Sequence, residues 1–184
     1  MDNNNNVPEV RRDDGSNRSV RSLTRIDPQT WSKDRLLWIW NQLLTQDYAF
    51  DDLALAVGPA AFLSQLLNYM SEWYEIGDEG LVAATGIIPH CNAIIHFVVW
   101  GDVETKDLFD IQKAFFDDLF VRHELNRITA YIPAFNKQAI RMATIVGFRY
   151  EGELRKSFLK NGTFHNTHIY GILKDEFYRK EARH

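Results

Sequence analysis

Cysteine is almost absent from this chain: Cys91 is the one thiol in 184 residues. That excludes an intrachain disulfide and a cysteine framework for zinc, and it is compatible with a reducing compartment. Long apolar runs are missing too. None reaches the roughly 18–20 residues of a transmembrane helix, and the polar N-terminus does not read as a signal peptide. The expectation is a soluble cytoplasmic protein with no membrane partner. Excess positive charge is also lacking: the net charge is −4 and the pI about 5.8, which gives no electrostatic reason to bind nucleic acid. No P-loop, zinc motif, nucleophile elbow or internal repeat occurs.

Apolar surface is abundant. Hydrophobic residues make up 45%, with 12 Phe, 7 Tyr and 5 Trp, enough to build a core in a chain of one-domain length. Residues 1–20 differ: a run of Asn is followed by Arg11, Arg12, Asp13, Asp14, Gly15 and Ser16. Such a segment buries too little to offset its ordering entropy. It reads as a flexible polar arm, free or ordered against a protein partner, ahead of a single domain over 21–184.

Within the domain, Ser22 to Ile26 reads as a strand and Asp27–Pro28 as the start of a helix with the stripe Leu36, Ile39, Trp40, Leu43 and Leu44. A second helix begins near Pro59 and carries Phe62, Leu63, Leu66, Leu67 and Met70. Residues 71–77, 80–88 and 92–100 read as three successive strands, the last nearly continuous in apolar residues, as a central strand requires. A long helix over 105–123 carries Leu108, Ile111, Phe115 and Leu119, and Arg127 to Ile132 alternates as a strand. Trp31, Trp38, Trp40, Phe115, Phe116 and Phe120 fall on helices. They mostly mean core, although several adjacent aromatics on one helix exceed one buried face, so some are expected to serve a protein interface.

The segment Asn136 to Gly152 marks both ends of a helix and then a strand. Asn136 is a good N-cap, Gly147 a good left-handed terminator, and Ala139, Met142, Ala143 and Val146 form one apolar face. Two strands follow around the hairpin dipeptide Asn161–Gly162. Asn136, Ala139, Gly147, Phe148, Glu151, Gly152, Leu154 and Arg155 together resemble the C-terminal signature of the GNAT superfamily of acyl-CoA-dependent N-acyltransferases. The likeness is greatest to the branch of ribosomal-protein acetyltransferases and phage-encoded relatives, although Asn166 stands where that branch commonly has Asp. The resemblance implies a mixed α/β fold with a central, mostly antiparallel sheet of about seven strands flanked by about four helices. It also implies acetyl-CoA as co-substrate and an amine of a small molecule or protein as acceptor.

By the same resemblance, Val98 and Val99 on the fourth strand mark where a backbone N–H polarises the thioester. Val103, Thr105 and Lys106 lie where the pyrophosphate meets a helix N-terminus, and Asn136 lies near the CoA arm. The base candidates are His96 and Tyr131; a histidine titrates near neutrality, which suits a base. His90 reads as a turn residue, and His165 and His168 lie near the last hairpin. Two positions depart from the family pattern. The junction Trp100 to Leu108 has Gly101 but no G-x-G pair, with Asp102, Glu104 and Asp107 around it. Ala143 stands where many members place a tyrosine acid. Two functions follow as expectations: an active N-acetyltransferase, or a GNAT-fold structural or adaptor protein without CoA turnover, such as a phage particle component, working through a protein partner or as a homo-oligomer.

Overall fold

The computed structural model describes residues 23–68 and 70–181. The arm over 1–20, the partner expected for it and the strand start at Ser22 lie outside the described residues.

Strand β1 (Leu23–Ile26) leads into a single 3-10 turn, Pro28–Thr30, and helix α1 is Lys33–Leu44. The expected helix start at Asp27 is therefore displaced. Asp27 accepts from the Gln29 N–H, but Trp31 is extended, and Ser32 caps α1 by accepting from Arg35 N–H at 3.1 Å. Two valid cap signals lie five residues apart, and only the second faces a run of periodic apolar residues. Next come α2 (Asp52–Val57), α3 (Pro59–Leu66), β2 (Glu72–Ile76), β3 (Gly80–Ile88) and β4 (Asn92–Val99). The chain continues with α4 (Thr105–Arg122), β5 (Arg127–Pro133), α5 (Lys137–Val146), β6 (Arg149–Lys160), β7 (Thr163–Leu173) and α6 (Lys174–Glu181). Six helices flank the sheet, two more than the sequence suggested; α2 and α6 are the additions. No described helix is long and apolar enough to cross a membrane.

The strands form one seven-stranded sheet in the order β1-β2-β3-β4-β5-β7-β6. Every neighbouring pair is antiparallel except β4 and β5, which α4 connects as a crossover. The sheet separates two cores. One face packs on α4, α5 and α6, with Tyr74, Val82, Phe115, Phe116, Phe120, Phe148 and Phe177 buried. The other packs on α1 and α3, with Ile39, Trp40, Phe62, Trp73, Leu81 and Ala83.

The aromatic surplus on α4 is core, as expected for most of these rings. Phe115, Phe116 and Phe120 are buried, because α4 is covered on two sides. Phe115 meets Tyr74 and Phe97 of the sheet, while Phe116 and Phe120 meet Phe177 of α6. Trp31 and Trp38 are half-buried and Trp40 is buried. Among the described residues, the exposed aromatics are Tyr131, Tyr150 and Phe164.

At the start of β2, Glu72 gathers a cationic cluster. It accepts from Arg122 at 2.7 Å and from Arg25 at 3.0 Å, and His123 lies 3.1 Å away. Burial alone would raise the Glu72 carboxyl, but the Arg122 hydrogen bonds and charge outweigh that and hold it at about 2, down from 4.5. A carboxylate depressed in the folded state contributes fully above pH 4.5 and loses that contribution as the pH falls toward 2. Parts of Arg25 and Arg122 reach solvent, which screens the pair, so Glu72→Gln is expected to cost about 2 kcal/mol at neutral pH. Urea titrations at pH 7 and pH 3 should show that difference shrinking in acid.

Candidate active site

The sheet opens at its centre. β4 and β5 are paired only from Asn92–Arg127 to Ile95–Ala130. Beyond that point both strands continue, β4 held by β3 and β5 held by β7. Amides alternate in direction along a strand. Trp100 N–H donates to Glu79 O beyond the β3 end, so the amides of Val98 and His96 point to β3, while those of Val99 and Phe97 point into the gap. This refines the expected Val98–Val99 pair: Phe97 and Val99 present the N–H groups, and Val98 contributes its side chain. A cavity of about 190 Å³ fills the fork and passes through the sheet. On one side it is bounded by Leu108, Gln112 and Ala143, on the other by Tyr48, Ala49, His96 and Tyr131.

The two base candidates come together here. Extending the β4–β5 register by one residue places His96 opposite Tyr131, at the first position where the ladder fails. Both line the cavity. His96 is accessible, but to the cleft interior, where desolvation pushes its pKa below the ordinary 6.5. The imidazole is therefore neutral at pH 7. Its Nε2 lies 3.0 Å from Thr85 Oγ1, whose hydroxyl also reaches Ile94 O at 3.5 Å. With the Thr85 proton turned to that carbonyl, its oxygen accepts from Nε2–H, and Nδ1 is left as the proton acceptor. Tyr131 is 43% exposed at the cleft rim.

Tyr48, in the loop between α1 and α2, was not identified from sequence. Its hydroxyl accepts from the Val99 amide, and burial raises its pKa above 10.0, so it remains protonated. Asp51 and Asp52 fix the loop that carries it. Asp51 caps α2 by accepting from Ala54 N–H at 2.8 Å, and Asp52 accepts from Asn161 and Gly162 N–H at 3.0 and 2.8 Å. No local signal marked it, because Tyr48 lies in a largely polar loop, Thr45 to Asp51. Gln112 was also missed, yet it interrupts the α4 stripe one turn after Leu108. Its Oε1 is buried at the cavity with no hydrogen-bond partner among the described residues.

Of the expected cofactor residues, Val98, Val99 and Asn136 line the cavity. Asn136 also performs its cap, accepting from Ala139 N–H at 3.0 Å, and Gly147 closes α5 at φ 118°. Val103, Thr105 and Lys106 lie outside the cavity, which reaches α4 only from Leu108 onward. They stand at the α4 start, where Glu104 makes no side-chain cap. His90 is a turn residue with φ 61°, paired with Glu124 at 2.9 Å. His165 packs on Phe135, and His168 lies between Tyr150 and Tyr170. None of the three lines the cavity. No group of potential metal ligands occurs among the described residues.

Gly101 has a local explanation. A Cβ there would lie 2.6 Å from the Glu79 Cβ, so the glycine permits the β4 exit to cross the β2–β3 turn. The same crossing is tied by Trp100 Nε1 donating to Asp78 O at 2.8 Å. Gly101→Ala is expected to lower stability by about 1–3 kcal/mol, measured by denaturant titration and equal with or without CoA. A loss that appeared only with CoA would instead assign the glycine to the ligand.

No protein-family model matches the chain, and no curated protein matches its sequence. Solved structures do match. A spermidine N-acetyltransferase from Vibrio cholerae, in complex with CoA and spermine, aligns at 19% identity and TM-score 0.66, over 85% of this chain and 98% of its own. A second structure of the spermidine/spermine N-acetyltransferase from that organism, with two Glu-to-Gln changes, aligns at 16% identity and TM-score 0.66, over 86% and 98%. A protein described as a probable acetyltransferase aligns at 20% identity and TM-score 0.56, over 64% and 70%. The forked sheet, its strand order and these likenesses agree: the chain has the GNAT fold.

Proposed function

We propose that the chain moves an acetyl group from acetyl-CoA to a primary amine inside the fork. The observation that carries this is the parting of β4 and β5, which turns the Phe97 amide into a cavity open to both faces of the sheet. The residues present suit the co-substrate. Gln112 Oε1 is a buried acceptor without a partner, able to take an amide N–H of the pantetheine arm. Val98, Val99 and Asn136 bound the same passage, and the uncapped α4 start with Lys106 suits a phosphate. Acetyl-CoA, when bound, supplies an acyl group activated as a thioester.

The chain's own groups complete the chemistry. Phe97 N–H donates to the carbonyl oxygen, an oxyanion-hole role that needs no particular side chain. Neutral His96 takes one proton from the amine as nitrogen forms the C–N bond and the C–S bond breaks. Tyr48, kept protonated by burial and with its oxygen already accepting from Val99, gives its proton to the departing sulfur. That supplies, from the opposite side of the fork, an acid that Ala143 cannot provide. Tyr131 sits at the rim on the amine side. Spermine in the matching structure supports an amine acceptor in general.

Calorimetry with acetyl-CoA should show micromolar binding, and a thiol-release assay with primary amines should show turnover. His96→Gln is expected to lower kcat by about 10²–10⁴-fold with little change in the KM for acetyl-CoA. In the native enzyme kcat/KM rises with pH through the depressed His96 pKa, so its acid limb lies below pH 6.5; the variant loses that limb. Tyr48→Phe should slow turnover most for the poorest leaving thiols. Absence of heat with acetyl-CoA would remove the enzyme reading. It would favour the second one, a GNAT-fold structural or adaptor protein without CoA turnover, such as a phage particle component, which the packing of Gly101 on Glu79 supports by giving that glycine a role without a ligand.

A further inference from the structure

A second cavity, about 80 Å³, adjoins the fork on the α1–α3 side and shares Ala49, His96 and Val98 with it. Its wall is aromatic and aliphatic: Phe50, Phe62, Trp73, Leu43, Leu81 and Ala83, with Thr85 beside His96. Trp73 is 6% exposed, and its indole N–H has no hydrogen-bond partner among the described residues. A buried donor without an acceptor is costly, so the position is suited to a ligand atom bearing a lone pair. No Asp, Glu, Lys or Arg among the described residues lines either cavity.

Resting on the transfer reading above, we propose that the acceptor is a primary monoamine with a compact, uncharged tail carrying one hydrogen-bond acceptor, such as an ether or carbonyl oxygen. The amine nitrogen meets His96 at the fork, the tail fills the 80 Å³ cavity, and the tail's acceptor atom takes the Trp73 N–H. The size fits: an apolar cavity of about 150 Å³ holds benzene, so roughly half that volume holds a short alkyl or alkoxy chain. Charge excludes the opposite class. A polyamine brings further ammonium groups that need carboxylates when desolvated, and none lines the cavities. The aromatic faces attract cations, but no carboxylate among the described residues lines either cavity to neutralise a second ammonium.

The test compares three probes on the full chain: 3-methoxypropylamine, its isostere n-pentylamine, and spermidine. Binding is read by calorimetry in the presence of CoA, and turnover is read separately with acetyl-CoA. The methoxy amine should bind at least tenfold more tightly than spermidine. Trp73→Phe keeps an aromatic ring, removes the orphaned donor and should cut the methoxy-over-pentyl ratio several-fold, with acetyl-CoA affinity unchanged. Ala83→Leu fills the cavity and should weaken both monoamines more than tenfold, again sparing acetyl-CoA. Tighter binding of spermidine, or a methoxy-over-pentyl ratio unmoved by Trp73→Phe, would overturn the assignment. Selective monoamine binding with no turnover would leave the acceptor site standing and sink the catalytic reading; no binding of acetyl-CoA or of any amine would sink both.

Discussion

An unfinished β-ladder is the constraint on which the rest of the site depends. β4 and β5 share four register pairs and then separate, yet neither strand is loose, because each keeps its antiparallel neighbour on the outer side. Backbone groups that a closed sheet would have paired are left facing each other across a gap. A buried N–H or C=O must find a partner, so the gap has to be filled by side chains, solvent or a ligand. Tyr48 satisfies Val99. The Phe97 amide is left as the donor directed into the passage.

The fork also divides labour between the two faces. Odd-numbered β4 side chains Ile95, Phe97 and Val99 join the core beneath α4, whereas Val98 joins the core beneath α1 and His96 lines the cavity on that side. Under the proposed transfer, a long, polar-armed molecule would enter from one core and a small one from the other, meeting where the sheet is open. His96 reaches its depressed pKa through this position, surrounded by protein while still lining a cavity.

How much of this was legible in the sequence depended on range. Asn136 and Gly147 were readable because their roles are satisfied within four residues, and the structure shows the cap at 3.0 Å and the left-handed turn. The near-continuous apolar β4 identified itself as central. Helix α6 was not legible, since Phe177 and Tyr178 are its only large apolar residues; its trace in the sequence was an aromatic excess on α4 beyond what one buried face needs. Tyr48, Gln112 and Trp73 were invisible for a related reason. Their significance lies in what they touch, or fail to touch, across the fold, and no local spacing encodes that. Gly101 read only as the remnant of a phosphate loop, because the neighbouring turn at Glu79 that requires it is distant in sequence.

The bonds from Asp52 to Asn161 and Gly162 have a consequence in time. They join residues 109 and 110 positions apart, so the loop holding Tyr48, already capped locally by Asp51, gains its second anchor only when the last hairpin exists. On the ribosome, β1 to β5 emerge first and can begin to pair, but the Tyr48 side of the fork lacks this tie until residue 162 has left the exit tunnel. A nascent chain therefore carries a half-built cleft through most of its synthesis, and the final hairpin acts as the latch that completes it.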